Sequence, residues 1–358
     1  MTRVMRARCA AVLAVAGLAC RGSVEYVVVA RDSGGTAMDA GARPADASVD
    51  RAAADVGARD AGRADAPASE VQPVADASAG GDAGPDSIAF SGALPTTSGR
   101  QTASLTVGGV PRSMLVYVPV SRSASSPLLL LFHGTNDSPD AIFDQGAAQR
   151  VADENGVVVV APNALDQALS DWDHPDSQGV WWTTYPSVDP ATNPDLRLVR
   201  AVLVAAQRAY GVDPARVYVI GHSNGAFFAQ LVADTLGDRI AAWASSSGGL
   251  CNCATRPECM FTGQGTTCDA LRAQPGWCSC RGDDKPGPVR TAGRRPPAYI
   301  THGTADDQVS VYYACTLASR LAASGFETQV VLRDGEQHVM PDEFAHVVWP
   351  WLAAHVNR

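Results

Sequence analysis

A serine, an aspartate and a histidine, met in that chain order, carry the chemistry this sequence offers. The serine lies in Arg216-Val-Tyr-Val-Ile-Gly221-His222-Ser223-Asn224-Gly225, where a β-branched and aromatic run passes through a tight turn into a helical stretch from Ala226 to Leu236. Glycines on both sides of Ser223 allow a strand-to-helix turn sharp enough to expose the hydroxyl. The same turn aims the next backbone N–H, that of Asn224, at the reacting centre. A Gly/Ser turn alone is common in α/β proteins; the strand before it and the helix after it make this one specific. A serine hydroxyl is a weak nucleophile near neutrality and needs an imidazole to take its proton. The imidazole in turn needs a carboxylate to fix its tautomer and to stabilise its charged form.

Both partners follow. Ala298-Tyr-Ile-Thr-His302-Gly-Thr-Ala-Asp306 reads as a strand ending in a loop that bears an acid. Thr328-Gln-Val-Val-Leu-Arg333 reads as the next strand, ending in Asp334-Gly-Glu-Gln-His338. Asp306 is preferred over its rivals Asp307 and Asp334 because it stands a few residues past the strand end. His133, His222 and His302 sit beside glycines at strand ends and read as structural or rim residues; His174, His346 and His355 read as surface positions. His338 is left as the base. Pro127-Leu-Leu-Leu-Leu-Phe132 is a continuous apolar run, the pattern of a parallel strand buried on both faces. It ends in His133-Gly134-Thr135, whose turn lets the Thr135 N–H face the serine. Together with the Asn224 N–H it forms an oxyanion hole, in which each donor contributes about 3 kcal/mol to the transition state.

The elements that must position these residues alternate. Leu105 to Val107 and Met114 to Val118 form an antiparallel lead-in, followed by strands at 127–132, 157–161, 216–220, 240–245, 297–302 and 328–333. Helical stretches fall at about 139–154, 195–210, 225–236, 311–324 and 342–355. This alternation predicts an α/β fold with a mostly parallel, doubly wound sheet, in which sites lie beyond the carboxyl ends of the strands.

His133-Gly134-Thr135, Val212-Asp-Pro-Ala-Arg-Val-Tyr-Val-Ile-Gly-His-Ser-Asn-Gly-Ala226, His302-Gly-Thr-Ala-Asp306 and Gly335-Glu-Gln-His338 resemble the secreted esterases grouped as polyhydroxybutyrate depolymerases and feruloyl esterases. The resemblance covers roughly residues 96–358. It implies an α/β-hydrolase fold, Ser223 as nucleophile, Asp306 as acid, His338 as base, Thr135 and Asn224 as oxyanion donors, and ester hydrolysis through an acyl-enzyme. Gln337 and Val339-Met340-Pro341 depart from the Gly and Trp-Pro that often flank the histidine, and Thr135 stands where cysteine is frequent. These departures leave the triad whole and the ester open, between esterified polysaccharide and hydroxyalkanoate polyester. Two other classes remain: a serine peptidase, for which no motif marks an extended-peptide pocket, and a non-catalytic surface binding protein, against which a complete triad argues.

The chain has 358 residues and a net charge of −9, with no basic patch that would suit nucleic acid. Arg3, Arg6 and Arg8 precede a short apolar run, Ala10 to Leu18, the pattern of an export signal too short to span a bilayer. Ala19-Cys20 follows, so the segment reads either as a lipoprotein signal with Cys20 lipidated or as one for simple secretion. From residue 21 to 95 Ala, Asp, Gly, Ser and Pro dominate, with 12 acidic residues, 6 arginines and only Tyr26 and Phe90 as aromatics. Such a segment buries too little apolar surface to offset chain entropy and is predicted to be disordered. As a flexible coil it spans on the order of 50 Å, enough to tether a membrane-anchored enzyme over a polymer. Cys251, Cys253, Cys259, Cys268, Cys278 and Cys280 crowd an insertion at about 250–290, and Cys315 stands apart. In an exported chain these read as disulfides; the C-x-C spacings suit a metal poorly. Cys315 either pairs with the insertion or is a buried thiol. No motif calls for a metal or cofactor. A second insertion, about 163–194, carries Trp172, Trp181 and Trp182, which read as walls of a substrate cleft or as packing residues.

Overall fold

The computed structural model describes residues 24–26, 88–166, 179–184, 188–250, 262–274 and 289–357, the first of these as backbone only. Twelve strands are described: β1 (Val24–Tyr26), β2 (Phe90–Ser91), β3 (Gly99–Val107), β4 (Val110–Val118), β5 (Leu128–Phe132), β6 (Val158–Pro162), β7 (Leu165–Asp166), β8 (Val180–Trp181), β9 (Val217–His222), β10 (Ala242–Ser246), β11 (Ala298–Gly303) and β12 (Thr328–Arg333). Seven α-helices accompany them: α1 (Pro139–Gln145), α2 (Ala148–Asn155), α3 (Pro194–Tyr210), α4 (Asn224–Thr235), α5 (Cys268–Arg272), α6 (Val311–Ala323) and α7 (Phe344–Ala353).

Ten of the strands form one sheet in the order β1-β12-β11-β10-β9-β5-β6-β4-β3-β2. Strands β2, β3 and β4 are antiparallel, and β4 meets β6 antiparallel. From β6 through β5, β9, β10, β11 and β12 to β1 every pairing is parallel. The central strands are buried on both sides. Leu128, Leu130 and Phe132 face a core built with α3, α4 and α6, while Leu129 and Leu131 face a second core built with α1, α2 and α7. Val217 and Val219 of β9 alternate with Tyr218 and Ile220 in the same way. This two-sided burial is why these strands read as uninterrupted apolar runs.

Local signals set the helix ends. The Ser138 hydroxyl accepts the Ala141 N–H at the start of α1, and the Asn193 side chain accepts the Asp195 and Leu196 N–H groups at the start of α3; each helix then opens on proline. The single helix expected over 139–154 is two helices. The chain turns at Gly146 and at Ala147, whose φ is 53°. A Cβ at Gly146 would lie 2.8 Å from the Ile142 carbonyl and 3.3 Å from Ala345 Cβ, so the close passage of α7 sets this break. Among the described residues no helix is long and apolar enough to cross a membrane.

The segment expected to be one linker over 21–95 is ordered at both ends. The backbone of β1 pairs with β12 from Val24↔Thr328 to Tyr26↔Val330, and β2 pairs with β3. An edge strand presents unpaired N–H and C=O groups, and the backbone of Val24–Tyr26 answers them along β12. Residues 21–23 and 27–87, which hold most of the segment expected to be a disordered linker, lie outside the described residues.

Cys315 forms a disulfide with Cys268, tying α6 to the start of α5 in the insertion. The remaining cysteines of the insertion lie outside the described residues. The bond closes a loop with a sequence separation of 47. Replacing both cysteines with serine is expected to lower unfolding free energy by about 2–4 kcal/mol, read as a lower urea midpoint at unchanged slope.

Candidate active site

Strand β9 delivers Ser223 to the carboxyl edge of the sheet with φ 53° and ψ −124°, a conformation that L-residues rarely adopt. Two glycines permit it. A Cβ at Gly221 would stand 2.0 Å from the Gly225 carbonyl oxygen, and one at Gly225 would stand 2.1 Å from the Phe132 carbonyl oxygen. The Ser223 N–H donates to the Ser246 carbonyl at 2.9 Å, which anchors the turn to β10. Ser223 occupies the N-cap of α4, yet its side chain makes no capping bond. The hydroxyl instead meets His338 Nε2 at 2.9 Å.

His338 is held by the acid. Its Nδ1 lies 2.8 Å from Asp306 Oδ2. Asp306 is fully buried, and its other oxygen accepts the Val309 N–H at 2.8 Å and the Gln308 N–H at 3.0 Å. Its rivals are elsewhere. Asp307 is exposed, and Asp334 accepts the Gly265 N–H at 2.8 Å, fastening the cysteine-rich insertion. The loops bearing acid and base are bonded to each other: the Ala305 N–H donates to the Glu336 carbonyl at 2.9 Å. A Cβ at Gly303 would fall 2.3 Å from that same carbonyl oxygen, so only glycine fits there.

His302 is the residue that sequence reasoning passed over. Its Nε2–H donates to the Val309 carbonyl at 2.7 Å and lies 3.1 Å from Asp306 Oδ2. The acid's outer oxygen thus receives two imidazoles. The signal was present in His302-Gly-Thr-Ala-Asp306, a four-residue spacing that folds back around a turn. Burial pushes the Asp306 carboxyl upward, but the hydrogen bonds from His302 and His338, the charge of His302 and the Val309 N–H outweigh it. The net result lies well below the usual carboxylate range.

His222 lies beside the base, with ring centroids 5.2 Å apart. Burial, then the charge of His338, pushes its pKa down to about 3, so it stays neutral. His133 is buried beneath the oxyanion turn. Its Nδ1–H donates to the Gly134 carbonyl at 2.7 Å and its Nε2 accepts the Ala164 N–H at 3.1 Å. Burial lowers its pKa and keeps it in this neutral form.

Gly134 packs at the serine, where a Cβ would lie 3.3 Å from Ser223 Cβ. Thr135 follows at the exposed end of β5, and Asn224 begins α4. Among the described residues neither the Thr135 nor the Asn224 N–H makes a backbone hydrogen bond. Of the three tryptophans expected at a cleft wall, Trp182 is fully buried: its ring stacks on Phe228 at 4.7 Å and its Nε1–H donates to the His133 carbonyl at 2.9 Å. It is a packing residue, because an indole with its N–H satisfied inside the core has no face left for substrate. Trp181 is half-buried on β8, and Trp172 lies outside the described residues.

A mostly parallel sheet covered on both faces, with a serine elbow, an acid and a histidine at its carboxyl edge, defines the α/β-hydrolase fold. No family model matches the chain. The chain is similar to a bifunctional acetylxylan esterase/xylanase of Neocallimastix patriciarum, 29% identical over 169 residues, covering 46% of this chain and 23% of that one. It is similar to feruloyl esterase B of Neurospora crassa, 24% identical over 208 residues, covering 57% of this chain and 66% of the relative. It is also similar to poly(3-hydroxyalkanoate) depolymerase C of Paucimonas lemoignei, 26% identical over 197 residues, covering 55% and 44%. The chain thus spans less than two thirds of each of these relatives. Among solved structures, acetyl xylan esterase from Aspergillus awamori superposes with a TM-score of 0.52 at 16% identity, covering 71% of this chain and 99% of that one, a likeness of fold.

The histidines make stability depend on pH. The unfolded chain protonates His222 at about 6.5, whereas the native state refuses the proton down to about 3. Stability is therefore lost progressively as pH falls through that window. The thermal midpoint of the His222→Gln variant is expected to drop less than that of the unaltered protein between about pH 7 and about pH 4.5, measured by calorimetry.

Proposed function

We propose that this chain is an exported serine carboxylesterase that works through an acyl-enzyme. The observation that carries the reading is the continuous relay from Ser223 Oγ to His338 Nε2 at 2.9 Å and from His338 Nδ1 to Asp306 Oδ2 at 2.8 Å, set on a strained elbow. Ser223 attacks the ester carbonyl while His338 takes its proton. The Thr135 and Asn224 N–H groups receive the oxygen that becomes negative. The imidazolium, stabilised by the ionised Asp306, returns the proton to the leaving alcohol. Water then repeats the sequence on the acyl-serine and frees the acid.

The substrate is a carboxylic ester carried on a polymer. The relatives' names support this, since acetylxylan esterase and poly(3-hydroxyalkanoate) depolymerase name polymers, while feruloyl esterase names an acyl group. Export rests on the Arg3, Arg6, Arg8 and Ala10-to-Leu18 signal, with Cys20 either lipidated or removed with the signal.

Ser223→Ala is expected to abolish hydrolysis of methyl ferulate, acetylated xylan and 3-hydroxybutyrate oligomers alike, and to abolish labelling by a fluorophosphonate. Residual turnover equal to that of the unaltered protein overturns the reading. Asp306→Asn is expected to lower kcat by about 10³–10⁴-fold with the fold retained, measured with the best of the three esters.

A further inference from the structure

The short segment 179–183 lies across the site as a strap, and two asparagine side chains sew it there. Asn136 stands next to Thr135. Its N–H donates to the Val180 carbonyl at 2.8 Å, and its Oδ1 accepts the Val180 N–H at 2.9 Å. Asn224 carries the second amide itself. Its Oδ1 accepts the Trp182 N–H at 2.7 Å, and its Nδ2 donates to the Trp182 carbonyl at 3.4 Å. Alternate residues of the strap, 180 and 182, are thus each held at two points, as a neighbouring strand would hold them.

The strap is itself rigidly based. The Trp182 ring is fully buried against Phe228 and Phe132, and its Nε1–H donates to the His133 carbonyl at 2.9 Å, two residues before Thr135. The Thr183 N–H donates to Asp195 Oδ2 at 2.7 Å, and the other oxygen of this fully buried carboxylate is paired with the buried Arg112. The approach of strap and asparagine is close enough to exclude any side chain at Gly179, where φ is 129° and a Cβ would fall 2.2 Å from Asn136 Oδ1.

We propose that the side-chain amides of Asn136 and Asn224 are positioning groups that fix the two oxyanion donors through the strap 179–183. The inference rests on the serine-esterase reading above. A donor stabilises a developing oxyanion fully only when held within about 0.5 Å of its productive place. Thr135 is exposed, and Asn136 follows it in a left-handed conformation with φ 57°. The strap braces this end of β5 against the start of α4, so the Thr135 and Asn224 N–H groups keep a fixed separation. Neither carboxamide touches substrate in this scheme.

The test uses the full mature chain as the unaltered protein and as Asn136→Ala, Asn224→Ala, Gly179→Ala and Ser223→Ala, with 4-nitrophenyl acetate as substrate. Active sites are titrated with a fluorophosphonate, so that rates refer to folded enzyme. Each asparagine variant is expected to lose about 10–100-fold in kcat with KM within about threefold, and to bind a trifluoromethyl ketone, which forms a tetrahedral adduct on serine, more weakly by a similar factor. Gly179→Ala, which alters neither donor nor asparagine, is expected to move both readings in the same direction. Rates per titrated site and ketone affinities within twofold of the unaltered protein overturn the proposal, whatever happens to the thermal midpoint. If Ser223→Ala hydrolyses the ester as fast as the unaltered protein, the serine reading itself fails, a result that no asparagine variant produces.

Discussion

The site depends first on how closely three stretches of backbone pass at the elbow. Strand β9, the start of α4 and the end of β5 meet with no room for a methyl group at Gly221 or at Gly225. That contact fixes the direction in which α4 leaves the sheet, and with it the Asn224 N–H. It also brings the Phe132 carbonyl, three residues before Thr135, against the helix. The strain at Ser223 persists because the surroundings determine it. The helix behind it buries Ala226, Phe228, Ala229 and Val232 completely, so relaxing the serine would mean lifting an apolar face out of the core. Nucleophile and oxyanion turn are consequences of one packing solution.

A second constraint is electrostatic. A buried carboxylate is tolerated only when its oxygens are satisfied. Asp306 meets that demand with two backbone N–H groups on one oxygen and two imidazoles on the other. Of the three histidines around the triad's proton path, His302 is committed to Asp306 and to the Val309 carbonyl, and His222 is kept neutral by burial. His338 is the imidazole that bridges the Ser223 hydroxyl and the Asp306 carboxylate.

The elbow, the order of the triad and the two-sided strands were legible in the sequence because each has a short-range cause: glycines where backbones touch, apolar runs where both faces are buried. What was not legible depends on contacts between distant segments. Trp182 and Trp181 look alike in sequence, but only the partner of each face tells that Trp182 stacks on Phe228 inside the core. The break between α1 and α2 is imposed by α7, almost two hundred residues later. Val24–Tyr26 was absorbed into a compositionally biased linker, although its backbone pairs with the edge of β12. His302 was read as structural, and it is, but what it supports is the acid.

The described bases of the two insertions are anchored to different parts of the site. The first leaves the sheet as the hairpin of β7 and β8 and is fastened to the oxyanion side by Asn136, Asn224 and Asp195. The second is fastened to the acid and base side, by the Gly263 N–H on the Thr304 carbonyl, the Gly265 N–H on Asp334 and the Cys268–Cys315 disulfide. The described base of each insertion is thus bonded to the segments that carry Asn224 and Thr135 on one side, and Asp306 and His338 on the other.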